Sequence, residues 1–193
     1  MSTSIPEQAS YTQSTAGMIA RWQPVHLGHA AVLRALCTRY ARVRIGIGSA
    51  NVQDVRSPFR LEEVRAMLDL ALADFDNYTL IPLPDLNDGP RWRAMVQEKF
   101  GALDVFYTAN PYVRELLQGS YRVVHPVALL APEERIPLDG TTVRLAMARG
   151  APYAHLLPLA VAAYLDDNQL VERFRSEFGL ETLAIQTIIQ SKE

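Results

Sequence analysis

One cysteine and two lysines are all that this 193-residue chain has of either type. The single Cys37 excludes an internal disulfide and most cysteine-based zinc sites, and a reducing compartment suits it. With Lys99 and Lys192 as its lysines, the chain lacks a lysine-dependent phosphate loop. The other 17 of its 19 basic residues are arginines, so arginine must meet any phosphate. An excess of one charge is missing too. The 19 basic residues stand against 21 acidic ones, a net charge of −2, which argues against a polyanion-binding surface and so against a nucleic-acid partner. No apolar run reaches bilayer-spanning length, so no membrane partner is expected. The first basic residue is Arg21, so the leading stretch has neither the charged start of a secretory signal nor the arginines of a transit peptide. Residues 1–16 are polar and aperiodic and read as a flexible leader. The expected location is the cytoplasm.

Hydrophobic residues make up 49% of the chain, enough for a full core. After the leader, short β-rich runs alternate with helical stretches. Strands are predicted at Gly17–Ala20, Val43–Ile47, Tyr78–Leu83, Leu103–Thr108 and Arg122–Leu130, the last with Pro126 near its centre. Helices are predicted over residues 28–40, over 58–75 with Pro58 in the first turn, over 92–100 and over 109–119. Further helices are expected over 141–148, 152–166 and 168–178, and the apolar tail 180–189 fits either helix or strand. Five such alternations mean an α/β fold: a Rossmann-like, doubly wound, parallel five-stranded sheet with a C-terminal helical segment. Residues 17–167 form the domain and 168–193 its helical extension. Ligands of such sheets bind beyond the carboxyl ends of the strands. That directs attention to the loops RWQPVHLGH, GIGSANVQDVRSP, PDLNDGPRW and TANPY.

The first of these loops is the most informative. His26 and His29 stand one helical turn apart at a helix start, where backbone N–H groups and the helix dipole already favour an anion. Gly28 between them lets a bulky ligand approach the backbone. A bland reading makes one histidine a helix cap and the other a filler of a polar gap. The position after a strand, and Gly28, favour donors converging on a phosphate chain. A zinc reading lacks a third ligand at matching spacing. Near the other end, Gly140, Thr141, Thr142 and Arg144 set small residues, hydroxyls and a guanidinium at a second helix start, a receptor for phosphate oxygens. Taken alone this is weak, since threonine caps many helices. Two familiar readings fail. GIGSAN lacks the third glycine of a dinucleotide fingerprint, and Ser49 is not in a G-x-S-x-G elbow. His125 and His155 read as structural, and the Glu62–Glu63 pair as a solvated helix start.

HLGH and GTTVR resemble the HxGH and (S/T)xxR motifs of the nucleotidyltransferase superfamily. Six ordered segments resemble the archaeal-type nicotinamide-nucleotide adenylyltransferases. RWQPVHLGH is similar to RFQPFHLGH, GIGSAN to GIGSAQ, SPF to NPF, PDLNDGPRW to PDINxxxxW, YTANPYV to YSNNPLV and DGTTVR to SGTEIR. The resemblance runs in order from Gly17 to about Asp167. It departs at Asp139, where the family has Ser; at Trp22, where it has Phe; and in EEVRAM, where Arg65 falls out of register.

The resemblance implies transfer of an adenylyl group from ATP to nicotinamide mononucleotide (NMN), giving NAD and pyrophosphate, with Mg2+ carried by the triphosphate and no metal held by the protein. It casts His26, His29, Arg144 and Arg21 as the catalytic groups. ATP would be bound by Gln23, Pro24, Gly28, Gly48, Ser49, Arg56, Gly140, Thr141 and Thr142. Asp85, Asn87, Trp92 and Asn110 would receive the nicotinamide nucleotide, with Trp92 stacking on the cationic ring. Trp92 as a helix-start core aromatic and Asn110 as a turn former are the plainer alternatives. A homo-oligomer is implied as well. Two other readings stay open. One is another HxGH transferase acting on phosphopantetheine, flavin mononucleotide or a polyol phosphate. The other is a nucleotide-binding module that has lost turnover through Asp139.

Overall fold

A computed structural model describes residues 14–190. At its centre lie five strands: β1 (Thr15–Ala20), β2 (Arg42–Gly48), β3 (Tyr78–Leu83), β4 (Val105–Tyr107) and β5 (Val123–Val124). Their order is β3-β2-β1-β4-β5, and neighbouring strands run parallel. Helices α1 (Leu27–Arg39) and α2 (Leu61–Ala71) carry the chain from β1 out to β3. Helices α3 (Gly89–Phe100) and α4 (Pro111–Leu117) then carry it back across β1 to β4 and β5. The result is the expected doubly wound sheet.

Side chains two apart share a strand face. Ala16 and Met18 of β1 therefore join one core with Leu33 and Leu36 of α1 and Val64, Met67 and Leu68 of α2. Ile19 faces the other way, against Val96 and Phe100 of α3 and Leu117 of α4. With both faces covered, β1 is buried almost throughout, which is why it reads as a run rather than an alternation. The C-terminal segment extends the first core. Val143 and Met147 of α5 (Gly140–Arg149), Val161 and Leu165 of α6 (Leu159–Asp167) and Phe174 of α7 (Leu170–Phe174) all pack into it. Helix α7 passes through a π-helical turn, Arg175–Gly179, into α8 (Leu180–Gln190).

Several boundaries differ from expectation. The leader lies outside the described residues except for its last three, and Thr15 and Ala16 already belong to β1. The expected strand 122–130 is two residues long. Pro126 has no N–H to give a ladder, and residues Pro126–Leu129 turn into a 3-10 helix instead. Pro58 precedes α2 rather than opening it, because Arg60 is the N-cap. The expected helix 152–166 is broken before Leu159, where Pro158 becomes the N-cap of α6. The ambiguous tail is helical.

Glu63 is not merely a solvated helix start. Its carboxylate accepts the backbone N–H of Arg60 at 2.8 Å and a bidentate pair from Arg173, Nη2 to Oε2 at 2.6 Å, which ties α2 to α7. Among the described residues no helix is long and apolar enough to cross a membrane.

Candidate active site

A cavity of about 950 Å³ opens past the carboxyl ends of the strands. Ala20 and Arg21 enter it at the end of β1, Gly48 and Ser49 at the end of β2, Asp85 and Asn87 after β3, and Thr108 to Asn110 after β4. The chain reverses its direction of winding between β1 and β4, and a doubly wound sheet leaves its crevice at that point.

His26 and His29 both line this cavity. His26 is the N-cap of α1, and its Nδ1 accepts the backbone N–H of His29 at 3.3 Å. That bond needs a bare Nδ1 and so assigns the ring proton to Nε2. The capping and ligand-facing readings of this residue are therefore one arrangement. The two imidazoles stack with centroids 3.6 Å apart and planes 21° apart, and Trp22 meets His29 edge-on at 4.8 Å. Burial lowers the pKa of His26 to about 4; the Asp139 carboxylate opposes that shift and Arg144 adds to it. His29 lies well below its ordinary value, through burial first and His26 second, against a hydrogen bond to the Pro24 carbonyl. Both rings are thus neutral N–H donors near pH 7. A Cβ on Gly28 would stand 3.2 Å from the His26 ring and 3.3 Å from the Ile136 carbonyl, so a bare backbone lets both close in.

At the start of α5, Asp139 is the N-cap and accepts the Thr142 N–H at 2.8 Å. That bond is the main reason its carboxyl stays below the usual range. The repulsion expected between Asp139 and a triphosphate is thereby eased, since the carboxylate is turned onto helix N–H groups. Arg144 donates from Nη1 to the Gln23 carbonyl at 2.7 Å and from Nη2 to Thr141 Oγ1 at 3.4 Å. Burial lowers its pKa, with neighbouring Arg21 next in effect. Its guanidinium stands directly behind Gly140. A Cβ there would lie 3.0 Å from Nη1 and 3.1 Å from the Gln23 carbonyl oxygen.

Not every expected ATP contact reaches the cavity wall. Gly28, Gly48, Ser49 and Gly140 do, whereas Gln23, Pro24, Thr141, Thr142 and Arg56 are not on it, and neither is the guanidinium-bearing catalytic candidate Arg144. The Gln23 amide is spent on Phe59, donating to its carbonyl and accepting its N–H at 2.9 Å each. Arg56 is exposed in the loop after β2, its backbone N–H held by Asp54.

Asp85, Asn87, Trp92 and Asn110 all line the same cavity. Asp85 Oδ1 accepts the Asn87 N–H at 3.1 Å, and both Asn87 and Ser49 hold left-handed backbone, φ 50° and 53°. Trp92 lies one turn inside α3, which begins at Gly89 after the N-cap Asp88, and it packs on the second core from a half-buried position. Asn110 caps α4 by accepting the Tyr112 and Val113 N–H groups, which is its plainer reading, and it sits on the wall as well.

Asn51, Tyr112, His125 and Arg135 had no place in the sequence reading of this site. Asn51 grips the backbone of Asp85 from both sides: its Nδ2 donates to the carbonyl at 3.1 Å and its Oδ1 accepts the N–H at 2.7 Å. Both of those backbone groups are therefore occupied. Tyr112, Arg135 and His125 line the cavity; His125, read as structural, caps the 3-10 helix Pro126–Leu129 by accepting the Val127 N–H at 3.2 Å and sits on the wall as well. The Ala-to-Tyr order of TANPY could have pointed to Tyr112. Nothing periodic marks Arg135. Among the described residues no group of three or more His, Cys, Asp or Glu could hold a metal ion.

No family model matches the chain. It is 34% identical over 163 residues to a nicotinamide-nucleotide adenylyltransferase of Thermococcus onnurineus, a match covering 81% of this chain and 84% of that protein. To the protein of the same name from Pyrococcus horikoshii it is 35% identical over 164 residues, covering 82% and 86%. Among solved structures it is similar to a bifunctional NMN adenylyltransferase/ADP ribose pyrophosphatase of Francisella tularensis, complexed with AMP and a manganese ion. The TM-score is 0.67 at 18% identity over 93% of this chain. This chain spans 55% of that longer protein, and the likeness is one of fold.

Proposed function

The chain belongs to the nicotinamide-nucleotide adenylyltransferase family, and on that footing we propose that its cleft transfers the adenylyl group of ATP to NMN. The phosphate oxygen of NMN attacks the α-phosphorus of ATP. A new P–O–P bond forms as the bond to the β-phosphate breaks, and NAD and pyrophosphate leave. The attacking phosphate is already ionised, so the step needs no nucleophilic side chain and no general base. It needs alignment, and neutralisation of the charge that builds on the phosphates.

One observation carries this reading: the guanidinium of Arg144 is bonded into the His26–His29 loop at Gln23. Donors from the two ends of the chain thereby flank one cavity at the reversal of the sheet. His26 offers Nε2–H, the start of α1 offers its backbone N–H groups, and Arg21 offers a second guanidinium on the wall. Arg144 reaches a phosphate from behind Gly140. We infer that ATP enters as its Mg2+ complex, the ion held by phosphate oxygens and water and spreading the charge of the leaving pyrophosphate. Asp85, Asn87 and Trp92 line the same cavity and would receive the nicotinamide nucleotide, Trp92 with its ring face. The cytoplasm, where ATP and NMN are found, is the proposed location.

The test is pyrophosphate release from MgATP with a panel of acceptors: NMN, nicotinic acid mononucleotide, phosphopantetheine, flavin mononucleotide and glycerol phosphate. Release with NMN at a rate far above the non-pyridine acceptors supports the proposal. Faster release with any non-pyridine acceptor replaces it with another transferase. ATP binding with no release for any acceptor replaces it with a binding module.

A further inference from the structure

Trp22 lies beneath the histidine loop, 1% exposed, with its backbone in the left-handed region at φ 60°. A bulky side chain is held in that region only where its surroundings over-determine it. Here the indole N–H donates to the Gly46 carbonyl, in the middle of β2, at 2.8 Å. The edge of the same indole meets the His29 ring at 4.8 Å with planes 67° apart, while His26 stacks on that ring at 3.6 Å. His29 Nδ1 is buried and has no hydrogen-bond partner among the described residues. With Nδ1 unpartnered, the ring is held by its bond to the Pro24 carbonyl at one point, and its tilt about that point is set by its aromatic neighbours. His26 is fixed by capping α1, and Trp22 is fixed by Gly46.

We propose that Trp22 is a positioning residue for His29: anchored on β2, its indole edge holds the imidazole at the angle it presents to the phosphate end of the cleft. The proposal deepens the adenylyl-transfer reading and rests on it for the part His29 plays, while the orientation of the ring stands independently. An edge-to-face contact needs an aromatic partner, so phenylalanine retains it and leucine does not. The indole N–H bond to Gly46 is lost in both.

The experiment compares W22F and W22L with wild type by three readouts: kcat and KM for MgATP, thermal midpoint, and 15N signals of the His29 imidazole. W22L is expected to lose about a hundredfold in kcat, the scale of a displaced catalytic group, with a much smaller change in KM. Its His29 signals shift, whereas W22F recovers most of the turnover and keeps the wild-type signals. Equal losses of kcat in W22F and W22L, tracking their losses of midpoint, would overturn the proposal, as would unshifted His29 signals in W22L. If W22L does not fold, a W92F chain leaves Trp22 as the reporter. Quenching of its emission when MgATP changes the state of His29 supports the contact, and unaltered emission overturns it. A wild type that binds MgATP and releases no pyrophosphate overturns the function instead, and the His29 signals still decide the role of Trp22.

Discussion

Arg144 donates a 2.7 Å hydrogen bond to the carbonyl of Gln23, closing a span of 121 residues in sequence. Gln23 in turn holds Phe59 through both halves of its amide. The start of α5, the histidine loop and the loop before α2 are therefore one connected unit. A charge-assisted bond to a carbonyl, formed where the guanidinium is largely withdrawn from water, is a firm anchor.

Arg144→Lys is expected to lower kcat by about a hundredfold, the scale for removing one preorganised donor at a developing charge. Lysine keeps the positive charge and loses the fork that serves Gln23, Thr141 and a phosphate together. Steady-state kinetics with a parallel thermal melt check this, since the fold should persist.

Acid should destabilise the protein through His26. Its folded pKa is about 4, below an unfolded value of 6.5. Between those values the unfolded chain binds a proton that the folded chain refuses, so stability is full above pH 6.5 and falls as pH drops toward 4. The size is on the order of 3 kcal/mol. Asparagine also caps helices well and does not titrate. Denaturant melts of His26→Asn across pH 4–7 are expected to give a flatter curve than wild type.

Asn51→Ala should act at the pyridine end alone. Without the two bonds to the Asp85 backbone, the loop after β3 loses its tie to the loop after β2. The KM for NMN is expected to rise about tenfold, equivalent to roughly 1.4 kcal/mol, while the KM for ATP stays near its wild-type value. Initial rates with each substrate varied in turn separate the two.

Glu63→Gln should lower stability and spare turnover. The carboxylate holds Arg173 and the Arg60 N–H away from the cavity, and its side chain is only 14% exposed. Losing charge-assisted bonds at such a site is expected to remove about 2 kcal/mol. The Glu63 pKa is lowered, so this contribution is present above pH 4.5 and fades as the carboxylate protonates below it. Wild type and variant should therefore converge in acid.

Local patterns carried much of this structure into the sequence. Alternating runs pointed to five strands, and the HLGH turn marked its own helix start. Long-range pairings did not show. The resemblance cast Gln23 as an ATP contact, and nothing local shows that its amide is held by Phe59, 36 residues away. Asn51 was silent for the same reason, with Asp85 34 residues distant. Arg135 sits in a loop without periodicity, so its place on the cavity wall had no local signal. At β5 the β-branched run was real, but Pro126 withheld the N–H that would have extended the ladder. Glu63 shows the same limit on the stability side, since its partner Arg173 is 110 residues away.

The most direct measurement is a crystal structure of the full chain with a non-hydrolysable MgATP analogue. The phosphate chain is expected within hydrogen-bonding distance of His26 Nε2 and of the Arg144 guanidinium at once. A triphosphate bound at only one of those two groups, or outside the cavity between β1 and β4, would contradict a shared receptor.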